Sequence, residues 1–478
     1  MLDLLIRGGR VVTAAGVGEW DIGVQGEKIV AVAGPGTISA EGGRTIDATG
    51  KIVAPGGIEA HAHIGFGGVA AARNPISRNN AGPAEQSLAA LWGGTTTVVD
   101  FAGMPEDSDL LPAMHNHLSG WKDKAYTDYT AHAILRGTAT PNAIGQIKDL
   151  IAAGFPSIKV FTTSLLPPTP DRPSMKMDMG RLEAIMTETA KHGGVVAVHS
   201  EDDEIVQYNY ARALEQGRMD WWNMHLVHSN LSEDLSFRRV IRVAEKTGAA
   251  TYFVHTSAKE GVNAIAEARS KGLPVYGETL NTYCSFNVDN YKEYDGMKYH
   301  TYPSVKFEDD RRRLWDGLIR GDLSFMATDS IVTSYADKVA GRTILDVTGG
   351  NIGIEVRMGI TYKEGVVDQG MSLERYAAIT STNVAKVLGF YPRKGVIAVG
   401  SDADITVIDP SIKKKLEMRD LHISDYSSWT GREVAGWPTT VILRGKVMID
   451  HRTLVGKPTD GKLIPRKVPS EVLKGPWR

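Results

Sequence analysis

The chain is poor in cysteine: Cys284 is the only one in 478 residues. A lone thiol excludes an internal disulfide framework and fits a reducing compartment, so a cytoplasmic protein is expected. Charge of neither sign is in surplus, with 54 Lys and Arg against 56 Asp and Glu. That balance argues against a polybasic nucleic-acid surface and against an acidic disordered tail. No apolar run reaches the ~18 residues that a membrane helix needs, so neither nucleic acid nor membrane is expected as a partner. The opening stretch MLDLLIRGGRVV has no basic leader and no small-residue cleavage site, and it reads as a β-strand rather than a signal peptide. Internal repeats and low-complexity tracts are missing too.

What is there falls into three zones. The first fifty residues are short apolar runs broken by glycine, such as LLIRGGRVV and DIGVQGEKIVAVAG, and read as a meander of β-hairpins. The far end mirrors them in KGVIAVGSDADITVIDP and TTVILRGKVMI. Between them, buried runs (TTTVVDFA, SIKVFTTS, GVVAVHS, ATYFVHTS, LPVYGETL, LSFMATDS) alternate with helix-like stretches such as GRLEAIMTETAKHG. Apolar strands separated by helices are parallel βαβ units, and this many favour a closed (β/α)8 TIM barrel, an α/β fold. The expected organisation is a barrel over 55–390 and a small β-sandwich built from both chain ends, 1–54 and 391–450. A tail, 451–478, follows. LLPPTPDRPSMKMDMG, from Leu165 to Gly180, is a proline-rich loop between a strand and a helix.

Polar residues at the strand ends carry the chemistry. In GGIEAHAHIGFGG, His61 and His63 are one residue apart. On a strand, i and i+2 face the same side, so both rings enter the barrel mouth, where active sites of this fold lie. Such a pair is half of a metal site. His199 closes GVVAVHS, His255 closes ATYFVHTS and Asp329 closes LSFMATDS. A lone histidine of this kind is more often a satisfied core residue; the repetition at successive strand ends is what points to metal. Lys159 sits inside the apolar run SIKVF, where a buried ammonium costs several kcal/mol unless paired, neutral or modified. As a carbamate formed with CO2 it would offer two oxygens to bridge two divalent metals. Other histidines read blandly: His115 and His117 as solvated, His225 and His228 as helix surface or packing. Cys284 reads as packing, and KFEDDRRRLWDG as a solvated helix start with i,i+4 pairs.

The segments GGIEAHAHIGFGG, GGTTTVVDF, SIKVF, VVAVHSED, YFVHTS, VYGETL, ATD and STNVAKVLGFYPRKGVIAVGSDADITVID, with YSSWTGREVAGWPTTVILRGKV near the end, resemble in order the hydantoinase/dihydropyrimidinase group of the amidohydrolase superfamily. The resemblance spans nearly the whole chain. It implies a (β/α)8 barrel with a β-sandwich, a binuclear metal centre and hydrolysis of cyclic amides. By position, His61, His63 and Asp329 resemble the ligands of one metal, and His199 and His255 those of the other. Lys159, carboxylated, resembles the bridge. The implied chemistry is attack by a metal-bridging hydroxide, with Asp329 carrying the proton to the leaving nitrogen. Nitrogen and oxygen ligands suit zinc first, with manganese, cobalt or iron as alternatives. The resemblance also implies a small-molecule substrate and a homo-oligomer, dimer or tetramer, with a tail that reaches a neighbouring subunit.

The substrate pocket departs from the family pattern. Hydantoinases carry a tyrosine five residues after the bridging lysine; Ser164 stands there. Tyr302 falls where the family's substrate-binding serine lies, and the family's asparagine loop falls near Gly349. NNAGPAEQS replaces an acidic segment before GGTTT. Ser164 leaves room about the size of an aromatic ring. A remodelled pocket is expected, and an allantoinase-like reaction or hydrolysis of a xenobiotic amide, urea or thiocarbamate is the alternative. A non-catalytic assembly protein of the same fold is the alternative of another class; it would have lost several of the six ligand positions, all of which are present.

Overall fold

The structure, a computed structural model, describes residues 1–39, 42–65 and 80–476. The end of the histidine motif, Phe66 to Gly68, and Asn79 of NNAGPAEQS lie outside the described residues.

β1 (Leu4–Thr13), β2 (Gly16–Gln25) and β3 (Lys28–Ala33) form the antiparallel meander read from the sequence. β4 (Arg44–Asp47) and β5 (Ile52–Pro55) depart from it by pairing parallel to β1. They are two halves of one run, broken at Gly50, whose φ of +73° suits glycine. β1 bulges opposite, between Ile6 and Gly9.

The barrel follows: β6 (Gly57–Glu59), β7 (Thr95–Gly103), β8 (Asp128–Ile134), β9 (Ser157–Phe161), β10 (Val195–His199), β11 (Ala250–Phe253), β12 (Val275–Leu280) and β13 (Phe325–Ala327). All neighbours pair parallel, and a parallel bridge between Ala62 and Ser330 joins the two ends of the sheet. The strands are buried on both faces apart from Gly103, which is why they read as unbroken apolar runs such as VVAV rather than as alternation. Each fully buried Val or Ile in them contributes roughly 1.5–3 kcal/mol. The helices between them carry start and stop signals. Met179–His192 is capped by Asp178, whose side chain accepts from the Arg181 amide, and ends at Gly193 with φ +80°. Asn230–Thr247 starts at Ser229 and ends at Gly248 with φ +70°.

The chain then returns to the first sheet. β14 (Ile405–Lys415) pairs antiparallel with β5, and β15 (Glu433–Leu443), β16 (Lys446–Asp450) and β17 (Thr453–Leu454) extend the sheet. The small domain is thus one nine-stranded mixed sheet from both chain ends. Its own core includes Leu4, Val24, Val53, Ile405 and Ile442. β17 lies within the stretch assigned to the tail. The rest of the tail packs on the chain's own barrel: Ile464 N–H donates to the Tyr129 carbonyl, and Arg466 donates to Ala131 O at 2.7 Å and Ser157 Oγ at 2.9 Å. A buried ion cluster fastens domain to barrel, with Lys394 Nζ 2.6 Å from both Asp128 and Asp404.

Candidate metal centre at the mouth of the barrel

The strand ends bring five of the polar residues together. Directly after β6, His61 and His63 face one side, and both Nε2 atoms approach the same oxygen, Oδ1 of Asp329, at 3.1 and 3.2 Å. The ligand atoms of these three residues lie within 4.8 Å of one another. Across the mouth, His199 Nδ1 and His255 Nε2 converge to 2.8 Å. His61 links the halves, its ring 5.4 Å from that of His255. Lys159, on β9 and buried, lies against two aromatic rings, with Nζ 5.1 Å from the centre of Phe101 and 5.0 Å from that of Phe161.

Two of these residues have backbones in the left-handed region that L-residues rarely adopt, His255 at φ +40° and Asp329 at φ +50°. Such strain persists only where surrounding contacts over-determine it, and it clusters at functional sites. At His255 the hold is visible: its amide donates to Glu278 Oε1 at 3.0 Å.

The protonation pattern suits metal. Burial holds His63, His199 and His255 below the ordinary imidazole value, which favours the neutral rings that bind a metal. Against the burial that favours its neutral form, the carboxylates of Glu278 and Asp329 push His61 up to about 9. A field that keeps a proton on His61 also attracts a divalent cation. Burial works against the Asp329 anion too, yet His61 and His63 hold it well below the usual carboxylate range. Burial pushes the Lys159 amine down to about 7, against the pull of Asp329 and Glu278. Neutral imidazoles, an anionic carboxylate and a titratable buried amine form a donor set that fits divalent ions of zinc type.

Behind these groups stand carboxylates that fix the rings. His61 Nδ1 donates to Glu278 Oε1 at 2.6 Å, which leaves Nε2 facing Asp329. His199 Nε2 donates to Glu201 Oε2 at 2.9 Å, which leaves Nδ1 facing His255. Carboxylate partners of this kind select the tautomer and orient metal-binding histidines. Glu201 sits too near His199 in sequence to suggest a helical pair, but on the loop after β10 it folds back beneath the ring. It also accepts from His228 Nδ1 at 2.9 Å. Of the two readings for His228, helix surface or packing, the structure shows burial: it lies wholly within this network. His117 is likewise not simply solvated: its Nε2 lies 2.7 Å from Asp100, which also accepts from the Ile64 amide and so steadies the chain beside His63. His115 is exposed as expected. One signal in the sequence did mark Glu278, a charge inside the apolar run VYGETL, the same signal that marked Lys159.

Of the three candidate substrate contacts, the side chains of Ser164 and Tyr302 are committed to the chain's own loops. Ser164 Oγ is 2.8 Å from Ser174 Oγ and accepts the Met175 amide, so it closes the loop after β9. Tyr302 is buried edge-on to His228, and its hydroxyl donates to Val347 O at 3.2 Å. Gly349 lies in a buried loop. Next to it, Gly350 has φ +75°, and a Cβ there would come 2.3 Å from that of Ile331. Two residues after Gly349, Asn351 anchors the loop by donating to Thr328 O at 2.7 Å beside Asp329; the sequence reading did not single it out. Cys284 is buried packing, its thiol pushed well up by burial. The charged helix Glu308–Arg320 carries the expected i,i+4 pair from Glu308 to Arg312 and an i,i+3 pair from Glu308 to Arg311.

A (β/α)8 barrel with this constellation at the carboxyl ends of its strands defines a class of metal-site proteins. The sequence profile of the Amidohydrolase family matches residues 52–448. A D-hydantoinase from Rhizobium radiobacter is 31% identical over 98% of this chain and 99% of its own length. A D-hydantoinase from Streptomyces coelicolor is 32% identical over 97% of each chain. The solved dihydropyrimidinase from Brevibacillus agri NCHU1002 superposes with a TM-score of 0.90 at 30% identity, covering 98% of this chain and 99% of that one. The chain belongs to the amidohydrolase family, in its hydantoinase/dihydropyrimidinase group.

Proposed function

We propose that this protein is a metal-dependent hydrolase that opens a cyclic amide ring at a C–N bond. The observation that carries the reading is the convergence of His61, His63 and Asp329 on one side of the mouth and of His199 and His255 on the other, in a chain of this family. His61, His63 and Asp329 would hold one ion, His199 and His255 a second, and Lys159 as a carbamate would join them; zinc is the first candidate. Ions held there supply Lewis acidity and water with a pKa lowered towards 7.

The chain's own residues do the rest. Glu278 and Glu201 keep the Nδ1–H of His61 and the Nε2–H of His199 pointing away from the centre. Phe101, stacked 4.6 Å from His63, walls the centre with an apolar face that excludes bulk water. Asp329, anionic and held by two imidazoles, takes a proton from the attacking water and returns it to the ring nitrogen as the C–N bond breaks. Water oxygen ends on the carbonyl carbon and the proton on the nitrogen, so the products are a carboxylate and an opened N–H group. Ser164 in place of a tyrosine supports a natural substrate other than plain dihydrouracil. A homo-oligomeric, cytoplasmic enzyme completes the proposal.

The test is a turnover screen of the metal-reconstituted protein over hydantoins, dihydropyrimidines, allantoin, linear carbamates and ureas. Ring opening of at least one cyclic amide, abolished by chelation and restored by metal, is expected. Exclusive turnover of linear carbamates or ureas would replace the reading, and an absence of stoichiometric metal would favour an assembly protein.

A further inference from the structure

His228 links the ligand network to the loop after β9. It is fully buried, between the short helix Met224–Val227 and the start of Asn230–Thr247. Its main chain is fixed on both sides: the amide donates to Met224 O at 3.0 Å, and the carbonyl accepts from Lys306 Nζ. On one side of the ring, Nδ1 donates to both oxygens of Glu201 at 2.9 Å. Ser232 Oγ adds a bond to Glu201 Oε1 at 3.4 Å. On the other side of the ring, Nε2 lies 3.2 Å from the carbonyl oxygen of Leu165. A carbonyl can only accept, so Nε2 carries a hydrogen. The Tyr210 hydroxyl, 3.4 Å from Nε2, already gives its one hydrogen to the same Leu165 O at 2.8 Å. Both ring nitrogens therefore donate, and the ring is an imidazolium. Its counter-charge is Glu201. Against the burial that favours the neutral form, His228 and His199 hold that carboxyl well below the usual range.

Leu165 opens the proline-rich loop, next to Ser164. The root of that loop is bound to the helix Asp203–Glu215: Asp203 Oδ1 accepts the Ser164 amide at 3.0 Å, and Gln207 Nε2 donates to Ser164 O at 3.0 Å. The same helix starts just after Glu201. A rigid ring engaged at both nitrogens cannot turn towards one partner without weakening the other, and a buried carboxylate deprived of its cation is costly. A shift of the loop root therefore acts on Glu201. Through Glu201 it acts on the Nε2–H of His199, whose Nδ1 faces His255. Resting on the reading of His199 as a metal ligand, we infer that His228 is a positioning residue that couples the seat of the loop after β9 to His199. Metal at His199 and a seated loop then favour each other, by the same factor in both directions.

The experiment takes metal-stripped full-length protein with and without zinc and bicarbonate. Zinc affinity is measured by equilibrium dialysis, and hydrogen–deuterium exchange is followed at the loop amides from Leu165 to Met177. In the wild type, zinc should slow loop exchange at least about 5-fold, the lower end for coupled sites. His228→Phe keeps the volume of the ring but neither bond. Its zinc affinity should fall at least about 10-fold, as for loss of a group that orients a ligand, and the response of the loop to zinc should vanish. His228→Gln, with a donor but no charge, should restore part of both, and it carries the test if the phenylalanine variant does not fold. Tyr210→Phe removes the neighbouring bond to Leu165 O and leaves Glu201 untouched. It should loosen the loop while changing zinc affinity less than His228→Phe does. Zinc that slows the loop equally in the wild type and in the His228 variants would route the coupling through Lys159 and β9 and overturn the inference. Zinc that binds the wild type without changing loop exchange would also overturn it and leave the metal reading standing; no zinc bound by the wild type removes both.

Discussion

Lys159 gives the sharpest quantitative test. A carbamate forms only from the neutral amine. An ordinary lysine of pKa ~10.4 is neutral at pH 7 to only about 4 parts in 10⁴. With burial lowering it to about 7, about half of the Lys159 amine is neutral at that pH, a gain of about 10³-fold. Reconstitution of metal-stripped protein with zinc and ¹³C-bicarbonate should therefore rise with pH to a midpoint near 7 and level off above it. Carbamate is read by ¹³C NMR, metal by elemental analysis and activity by turnover. The same shift has a stability consequence. Between pH about 7 and about 10.5 the unfolded chain binds a proton that the native metal-free protein does not, so stability rises with pH across that window. The drop, at about 1.4 kcal/mol per pH unit, is worth about 5 kcal/mol, and Lys159→Met should remove that slope. Loading that climbs tenfold per pH unit above pH 8 would show an unperturbed amine and refute the reasoning. So would two bound metals with Lys159 unlabelled.

Asp329→Asn keeps size and an oxygen ligand but cannot shuttle the proton; kcat should fall at least about 10²-fold, with metal content changed less. Near-normal turnover would assign the proton transfer elsewhere. Glu201→Ala frees the ring of His199 and strands His228, so zinc affinity measured by equilibrium dialysis should fall about 10–100-fold; Glu201→Gln should lose less, and unchanged affinity for both would show that the carboxylate does not orient the ring. Ser164→Tyr must expel a side chain that closes the loop through Ser174 and Met175. It should impair the native reaction, and improved turnover would contradict that role. Dihydrouracil and unsubstituted hydantoin should be poor substrates of the wild type; a kcat/KM of about 10⁴ M⁻¹s⁻¹ or more for dihydrouracil would restore plain dihydropyrimidinase activity.

Much of the architecture was legible in the chain itself, because local physics writes it there. Parallel strands covered on both faces must be apolar throughout, so VVAVH and SIKVF announce themselves, and any polar residue inside or ending them is conspicuous. That is why His61, His63, Lys159, His199, His255 and Asp329 could be picked out one by one. The meander β1–β3 was equally plain, whereas the parallel return of β4 and β5 depends on a partner some forty residues away and left no local mark. Tertiary structure decided what those marked residues face. Only folding brings Glu201 beneath His199 and buries His228, or sets Asp100 against Ile64 and His117, since loop geometry rather than sequence spacing sets such contacts. Ser164, Tyr302 and Gly349 show the limit most clearly. Sequence position placed them near the substrate. The fold commits the hydroxyls of Ser164 and Tyr302 to loop closure. Which hydroxyls are already taken by a neighbouring loop is a property of three-dimensional space that a linear sequence cannot record.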